Sequence, residues 1–83
     1  MATNYAEFFG QRVRELRESR GLSQESLAAV AGLHRTHISL IERGHRSVRL
    51  ETVVALATAM AVEPADLMPP LKRRAGRAAT KGV

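Results

Sequence analysis

Residues 23–44 read SQESLAAVAGLHRTHISLIERG, and this stretch predicts two short helices that are joined by a tight turn. Ser23 is a favourable N-cap residue, so we expect the first helix over residues 24–31. Gly32 can adopt the positive φ that turns the chain, and the next helix is expected over about 34–43. Two short helices around a glycine-containing turn are typical of a helix-turn-helix.

Apolar side chains set the angle between these two helices, and they are Leu27, Leu33, Ile38 and Ile41. Four other side chains at the start of the second helix point outward, where a helix-turn-helix contacts base edges in the major groove; they are Arg35, Thr36, His37 and Ser39. Arg35 can donate to O6 and N7 of one guanine, and the alternative is a solvated surface arginine. Thr36 either packs its methyl group on thymine or contacts only phosphate.

The flanking sequence predicts three further helices and no strand, which makes an all-α, compact five-helix domain. Apolar residues at helical spacing indicate a first helix over 5–20, with Asn4 as its cap. A wide apolar stripe indicates a fourth helix over about 50–61. A short fifth helix is expected over about 64–68, because proline suits the first position of a helix.

The chain of 83 residues is expected to form one DNA-binding and dimerisation domain over 1–71, followed by a disordered basic tail over 72–83. The tail has five basic residues, no acid and almost no large apolar residue, so it cannot bury enough surface to fold. It accounts for the whole net charge of +5. Residues 34–49 also form a basic patch, which suits an anionic partner such as nucleic acid, although ordinary solvated arginines are the alternative.

Several classes of protein are excluded or disfavoured by what the sequence lacks. It has no cysteine, so it forms no disulfide. It has no long apolar run, so we expect neither a signal peptide nor a membrane span, and a cytoplasmic location. The serines lack recognisable base and acid partners and the glycines are scattered, so we expect no enzyme and no cofactor. His34 and His37 are three residues apart, but no carboxylate or cysteine follows at matching spacing, so we expect no metal.

Residues 9–67 resemble the phage repressor and Cro (Xre-like) helix-turn-helix family in register. The matching segments are FGQRVRELR at 9–17, GLSQESLA at 21–28, GL at 32–33, ISLIERG at 38–44 apart from residue 40, and LETVVALATAM at 50–60. The string RTHIS at 35–39 with ERG at 42–44 is also similar to controller proteins of restriction–modification systems. This resemblance implies a phage repressor-like DNA-binding fold.

The resemblance also implies a role for individual residues. Arg35 and Thr36 correspond to the family's base readers, with His37 and Ser39 in support, whereas Arg17 and Glu42 correspond to a salt bridge between the first and third helices. The family holds DNA phosphates with side chains and with N–H groups of residues 44–47, and the corresponding side chains here are Ser23, Gln24, Arg43, His45, Arg46 and Ser47.

The chain departs from the controller pattern at His37, where many controllers carry tyrosine, and at Leu40, where the residue is often polar. These departures bear on the target sequence and not on the groove that is read.

Surplus apolar residues near the end of the domain predict a dimer interface, because the family dimerises through its last two helices. The alternative is that these residues complete the core of the monomer. They are Val54, Leu67, Met68 and Leu71. The resemblance then implies a transcription regulator that is a homodimeric controller protein of a restriction–modification system and binds double-stranded DNA at an inverted-repeat operator in the major groove. RNA polymerase is a further candidate partner. A phage-type repressor and an antitoxin that binds a toxin protein are the alternatives.

Overall fold

A computed structural model describes residues 4–69, which form four α-helices and one turn of 3-10 helix without any strand. The helices are α1 (Tyr5–Ser19), α2 (Gln24–Ala31), α3 (Arg35–Glu42) and α4 (Leu50–Met60). The predicted tail and Leu71 lie outside these residues. Within the described part of the chain, no helix is both long enough and apolar enough to cross a membrane.

The short fifth helix that the sequence predicts is present only as one turn of 3-10 helix, Pro64–Leu67, and not as a further α-helix. Its Asp66 side chain accepts a hydrogen bond from the Glu63 N–H at 3.0 Å, which caps the turn. Met68 precedes a proline and is extended, with ψ of 145°, because proline disfavours the helical conformation in the residue before it. Too few residues lie between Pro64 and Pro69 for a regular α-helix.

The ends of the longer helices follow the chemistry of single residues. Asn4 accepts a hydrogen bond from the Glu7 N–H at 3.0 Å, and Ser23 accepts one from the Ser26 N–H at 2.9 Å. Gly32 ends α2 with φ of 75°, the left-handed conformation that glycine adopts without steric cost. Ser23 and Gly32 thereby set the two ends of α2, and Gly32 begins the turn that leads to α3.

One core joins all the elements, and its buried apolar side chains come from every helix and from the 3-10 turn. They are Phe9, Val13, Leu27, Ala28, Ile38, Ile41, Val53, Leu56, Ala57, Met60 and Leu67. Leu67 has no exposed surface, so its assignment to a dimer interface is corrected: its side chain fills the monomer core. Leu50, by contrast, belongs to the apolar stripe of α4 but is 77% exposed.

Arg12 of α1 and Arg20, the residue that follows α1, bind the backbone of the C-terminal elements. Arg12 Nε donates to the carbonyl oxygen of Asp66 and Arg20 Nε donates to that of Met60, both at 2.7 Å. Arg20 thereby satisfies a carbonyl at the end of α4 that has no partner within the helix. Helix α1 is therefore held against the end of α4 and against the 3-10 turn.

Close approach between α1 and the end of α3 depends on two glycines. A methyl group on Gly10 would overlap the carbonyl oxygen of Ile41 and lie 2.9 Å from that of Glu42. A methyl group on Gly44, where φ is 71°, would lie 2.9 Å from Cα of Glu7. Helix α3 can pack this closely on α1 only because both side chains are absent.

Candidate nucleic-acid interface

The start of α3 faces solvent. Arg35 and Thr36 are exposed, and His37 and Ser39 are half-buried. Buried Ile38 and Ile41 hold the opposite side of the helix in the core. With eight residues, α3 is about 12 Å long, and the major groove is wide enough to admit an α-helix.

The turn that leads into α3 is closed by its own backbone. The Leu33 N–H donates to the carbonyl oxygen of Ala28 at 2.8 Å, and Leu33 packs against the core. His34 then caps α3 through its backbone alone, because its side chain makes no capping hydrogen bond. No cluster of three metal-binding side chains occurs within residues 4–69.

Arg17 and Glu42 form a bidentate ion pair between α1 and α3. Arg17 Nε lies 2.6 Å from Glu42 Oε2, and Arg17 Nη2 lies 3.0 Å from Glu42 Oε1. The remaining nitrogen, Nη1, donates to the carbonyl oxygen of Leu22 at 2.8 Å. The side chain of Glu42 is only 3% exposed and that of Arg17 only 10%. Arg17 thereby links α1, the loop before α2, and α3.

The pKa of Arg17 is raised above its ordinary value, chiefly because its side chain donates hydrogen bonds to Glu42. Burial acts in the opposite direction and is the smaller influence. The guanidinium therefore stays charged at every pH at which a DNA complex would be studied. Its contribution to stability is present below the unfolded-state pKa and would be lost only in strong alkali.

Gln24, the first residue of α2, lies between this ion pair and the exposed face of α3. Its Nε2 donates to Glu42 Oε1 at 3.1 Å, and its Oε1 accepts from Arg35 Nη1 at 3.4 Å. A continuous series of hydrogen bonds thus runs from buried Arg17 through Glu42 and Gln24 to exposed Arg35.

The other candidate phosphate ligands flank α3 on either side. Ser23 uses its hydroxyl group to cap α2 and to donate to the Ser26 hydroxyl at 2.9 Å. Arg43 is exposed, and its Nε contacts the carbonyl oxygen of Ser39 at 3.4 Å. The loop side chains after α3 are also exposed, and they are His45, Arg46 and Ser47.

Not every N–H group of residues 44–47 is available to a phosphate. The Gly44 N–H donates to the carbonyl oxygen of Ile41, and the His45 N–H to that of Leu40, both at 3.0 Å. These bonds cap the end of α3. The expectation that the whole loop offers its N–H groups is therefore corrected to the N–H groups of Arg46 and Ser47.

An apolar groove lies next to this loop, on the side of the domain formed by α4 and the N-terminus of α1. Its lining includes Tyr5, Leu50 and Met68, together with Arg46 and Ser47 of the loop. Val54 lies one helical turn after Leu50 and is 49% exposed. We call Leu50, Val54 and Met68 the apolar patch. It includes Val54 and Met68, two of the residues predicted for dimerisation, and their role in a dimer stays a prediction.

Sequence reasoning missed the bonds of Gln24 with Glu42 and Arg35. These residues are 18 and 11 positions from Gln24, and no helical repeat relates such separations. Arg12 and Arg20 were also missed as residues that bind backbone carbonyls. Their spacing of eight places them on one face of α1, but only the fold reveals which carbonyls lie opposite.

Comparisons with known proteins agree with this geometry. The helix-turn-helix family model HTH_3 matches residues 13–67. The control protein C.BamHI of Bacillus amyloliquefaciens is 46% identical over 69 residues, which are 82% of this chain and 85% of that protein. The solved structure of the restriction-modification controller protein C.AhdI from Aeromonas hydrophila is 49% identical, with a TM-score of 0.75 over 76% of this chain and 96% of that one. The P22 c2 repressor in complex with a synthetic operator is 28% identical, with a TM-score of 0.69 over 74% and 92% of the two chains.

Proposed function

The chain belongs to the helix-turn-helix family whose model matches residues 13–67, and from this premise we propose that it is a homodimeric controller protein of a restriction–modification system. It is a transcription regulator. In our proposal it acts without catalysis in the cytoplasm, binds an inverted-repeat operator in double-stranded DNA, and meets RNA polymerase at the promoter.

The observation that carries the proposal is the exposed start of α3 in a chain that is similar to two control proteins. In this proposal Arg35 and Thr36 contact base edges, and His37 and Ser39 support them. An arginine with a free guanidinium face can bind guanine O6 and N7 together, which distinguishes guanine from the other bases.

Phosphate contacts on both sides of α3 would hold the domain in register on the DNA. On the first side we assign this role to Gln24 and Ser23 at the N-terminus of α2, where the helix dipole favours an anion. On the other side we assign it to exposed Arg43, His45, Arg46 and Ser47. Residues 1–70 carry eight arginines and eight acids, so their charges cancel as a whole, and the local concentration of arginines in residues 34–49 suits this arrangement.

The apolar patch supports a two-fold dimer. Leu50 and Met68 are exposed and line one groove, and Val54 is exposed one helical turn after Leu50 on α4. An exposed apolar surface of this kind marks an interface more often than it is incidental. A two-fold dimer of helix-turn-helix domains binds half-sites about one helical turn apart, ~34 Å. The operator should therefore be an inverted repeat with half-sites about 10 base pairs apart.

Selection of binding sites from a random double-stranded DNA library tests this function. We expect an inverted repeat with the stated spacing, and sedimentation of the selected duplex should show two protomers bound to each site. A library that yields no preferred sequence would overturn the proposal.

A phage-type repressor is the second candidate, since the P22 c2 repressor shares this fold and was solved with operator DNA. Transcription in vitro from the chain's own promoter separates the two candidates. A controller should activate at low concentration and repress at high concentration, whereas a repressor only represses.

A further inference from the structure

We propose that Gln24 determines sequence specificity as well as holding a phosphate, because its amide positions Arg35 and is itself oriented by Glu42. The inference rests on the proposed function, and it assigns Gln24 and Glu42 as positioning residues for the base reader. It would make base discrimination depend on a buried ion pair that never touches DNA.

The first step is that the orientation of the Gln24 amide is determined by its neighbours. Its N–H group faces the carboxylate of Glu42, and its oxygen faces the guanidinium of Arg35. The reversed amide would place its oxygen against a carboxylate and its N–H group against a cation. Both contacts would be repulsive, since a carboxylate only accepts hydrogen bonds and a guanidinium only donates them.

The second step is that Glu42 cannot turn away. Arg17 binds both of its carboxylate oxygens, at 2.6 and 3.0 Å, and the Glu42 side chain is only 3% exposed. A bidentate arginine–carboxylate pair has a defined geometry. The Gln24 amide is therefore hydrogen-bonded to a buried, bidentate ion pair between α1 and α3.

The third step concerns Arg35, which is exposed and long and would otherwise sample many rotamers. One hydrogen bond from its Nη1 to Gln24 restrains the side chain, and the other N–H groups of the guanidinium stay free for a guanine. A restrained side chain loses less conformational freedom on binding. A released Arg35 could also reach a phosphate, and that contact would favour every sequence equally.

Gln24 can serve both functions at once. Its amide nitrogen has two hydrogens, of which one is directed to Glu42, so the second is free to donate to a phosphate. The two functions differ in what they change: a lost phosphate contact weakens binding to all sequences alike, whereas a misplaced Arg35 lowers discrimination at one base pair.

The test compares discrimination in wild type, Gln24→Ala and Glu42→Gln, with Glu15→Gln as the matched control. Glu15 is an exposed acid that pairs with Arg12 on the surface of α1. Arg35→Ala first identifies the base pair that Arg35 contacts, as the position at which this variant loses discrimination. The probes are the selected duplex and three further duplexes, each with one of the other base pairs at that position. Fluorescence anisotropy gives each Kd.

Wild type should discriminate at that base pair by roughly 5- to 150-fold. We expect Gln24→Ala and Glu42→Gln to lower this ratio by about threefold or more. Both variants should keep wild-type ratios at base pairs that are insensitive to Arg35→Ala. Glu15→Gln should keep wild-type ratios at every base pair. If Gln24→Ala binds every duplex more weakly by one common factor, Gln24 holds only a phosphate and the inference is wrong.

Free protein supplies a second measurement that does not depend on DNA. In ¹⁵N NMR spectra the guanidinium signal of Arg35 should shift in Gln24→Ala, and that of Arg43 should not. An unchanged Arg35 signal would overturn the inference even if Glu42→Gln failed to fold. Failure of wild type to select any sequence would instead overturn the proposed function, so the two failures are distinguishable.

Discussion

Gly10 of α1 lies directly against the carbonyl oxygen of Ile41, so that no side chain fits between the two helices at this point. The atoms opposite Gly10 belong to the backbone of α3 and cannot move as a flexible side chain would. Helix α1 therefore sets the distance at which α3 projects from the domain.

Gly10→Ala should destabilise the protein although alanine is the better helix former. Helix propensity alone would favour alanine by about 1 kcal/mol, but the overlap with Ile41 should cost typically 1–3 kcal/mol or more. Urea unfolding measures the difference, with exposed Gln11→Ala on the same helix as the control. A variant at least as stable as wild type would contradict the close packing of α1 on α3.

Glu42→Ala should lower stability by about 3–5 kcal/mol, because it leaves the guanidinium of Arg17 largely buried without its partner. The double change of Arg17→Met with Glu42→Leu should recover most of this loss, since it removes both charges. Recovery should be incomplete, because Leu22 also loses the N–H that binds its carbonyl oxygen. Thermal and urea unfolding of the two single variants and the double variant measure the coupling; additive losses would mean that the pair does not couple.

Val54→Lys should weaken dimerisation while the monomer remains folded, because Val54 is a half-exposed residue of the apolar patch. Val30→Lys is the matched control, since Val30 is exposed on α2, away from the patch. Sedimentation equilibrium at micromolar concentration should give about half the wild-type mass for the first variant alone. A dimeric Val54→Lys would place the interface elsewhere.

Leu67→Ala should behave differently, because Leu67 is completely buried in the monomer. Its truncation should cost about 2–5 kcal/mol of folding free energy through the cavity that remains. Urea unfolding should show this loss, which arises within each protomer, even in a Val54→Lys background. A loss of dimerisation at wild-type stability would contradict the assignment of Leu67 to the core.

Arg35→Ala and Arg46→Ala should affect DNA binding in different ways. The first should cost ~1–3 kcal/mol per half-site with the selected duplex and little with unrelated DNA. The second should weaken both alike and lower the slope of log K against log salt by about 1. Anisotropy titrations at several salt concentrations test both, and an unchanged specificity ratio in Arg35→Ala would remove it as a base reader.

The elements with strong local signals could be predicted from the sequence. Helix α2 begins after Ser23 and ends before Gly32, as the cap and the glycine indicate. The fifth element could not be predicted as well, because proline at 64 suits an α-helix and a 3-10 turn equally. Apolar character alone also could not show that Leu67 is buried and Leu50 exposed. Leu67 is buried because the 3-10 turn folds back onto the core, and this packing depends on the whole fold.

Candidate site residues could be proposed by position, but the resemblance to the family implied only one of their mutual contacts, the pair of Arg17 with Glu42. The spacing of Arg35 from Gly32 indicates an exposed position at the start of a helix. The contact of Arg35 with Gln24 depends on the angle between α2 and α3, and that angle results from packing of the whole core. The contacts of Gln24 with Glu42 and Arg35 therefore required the structure.

The hydrogen bonds from Arg12 and Arg20 to the carbonyls of Asp66 and Met60 have a consequence for biosynthesis. The partner carbonyls lie 54 and 40 residues further along the chain than the arginines. The helix-turn-helix ends at Gly44, and a ribosome needs roughly one to four seconds to add the residues from there to Asp66. During that interval the nascent chain contains the whole helix-turn-helix but lacks the backbone groups that hold α1, as well as the side chain of Leu67. We therefore expect a polypeptide released early from the ribosome to remain unfolded and to be degraded, so that only completed chains accumulate and occupy DNA.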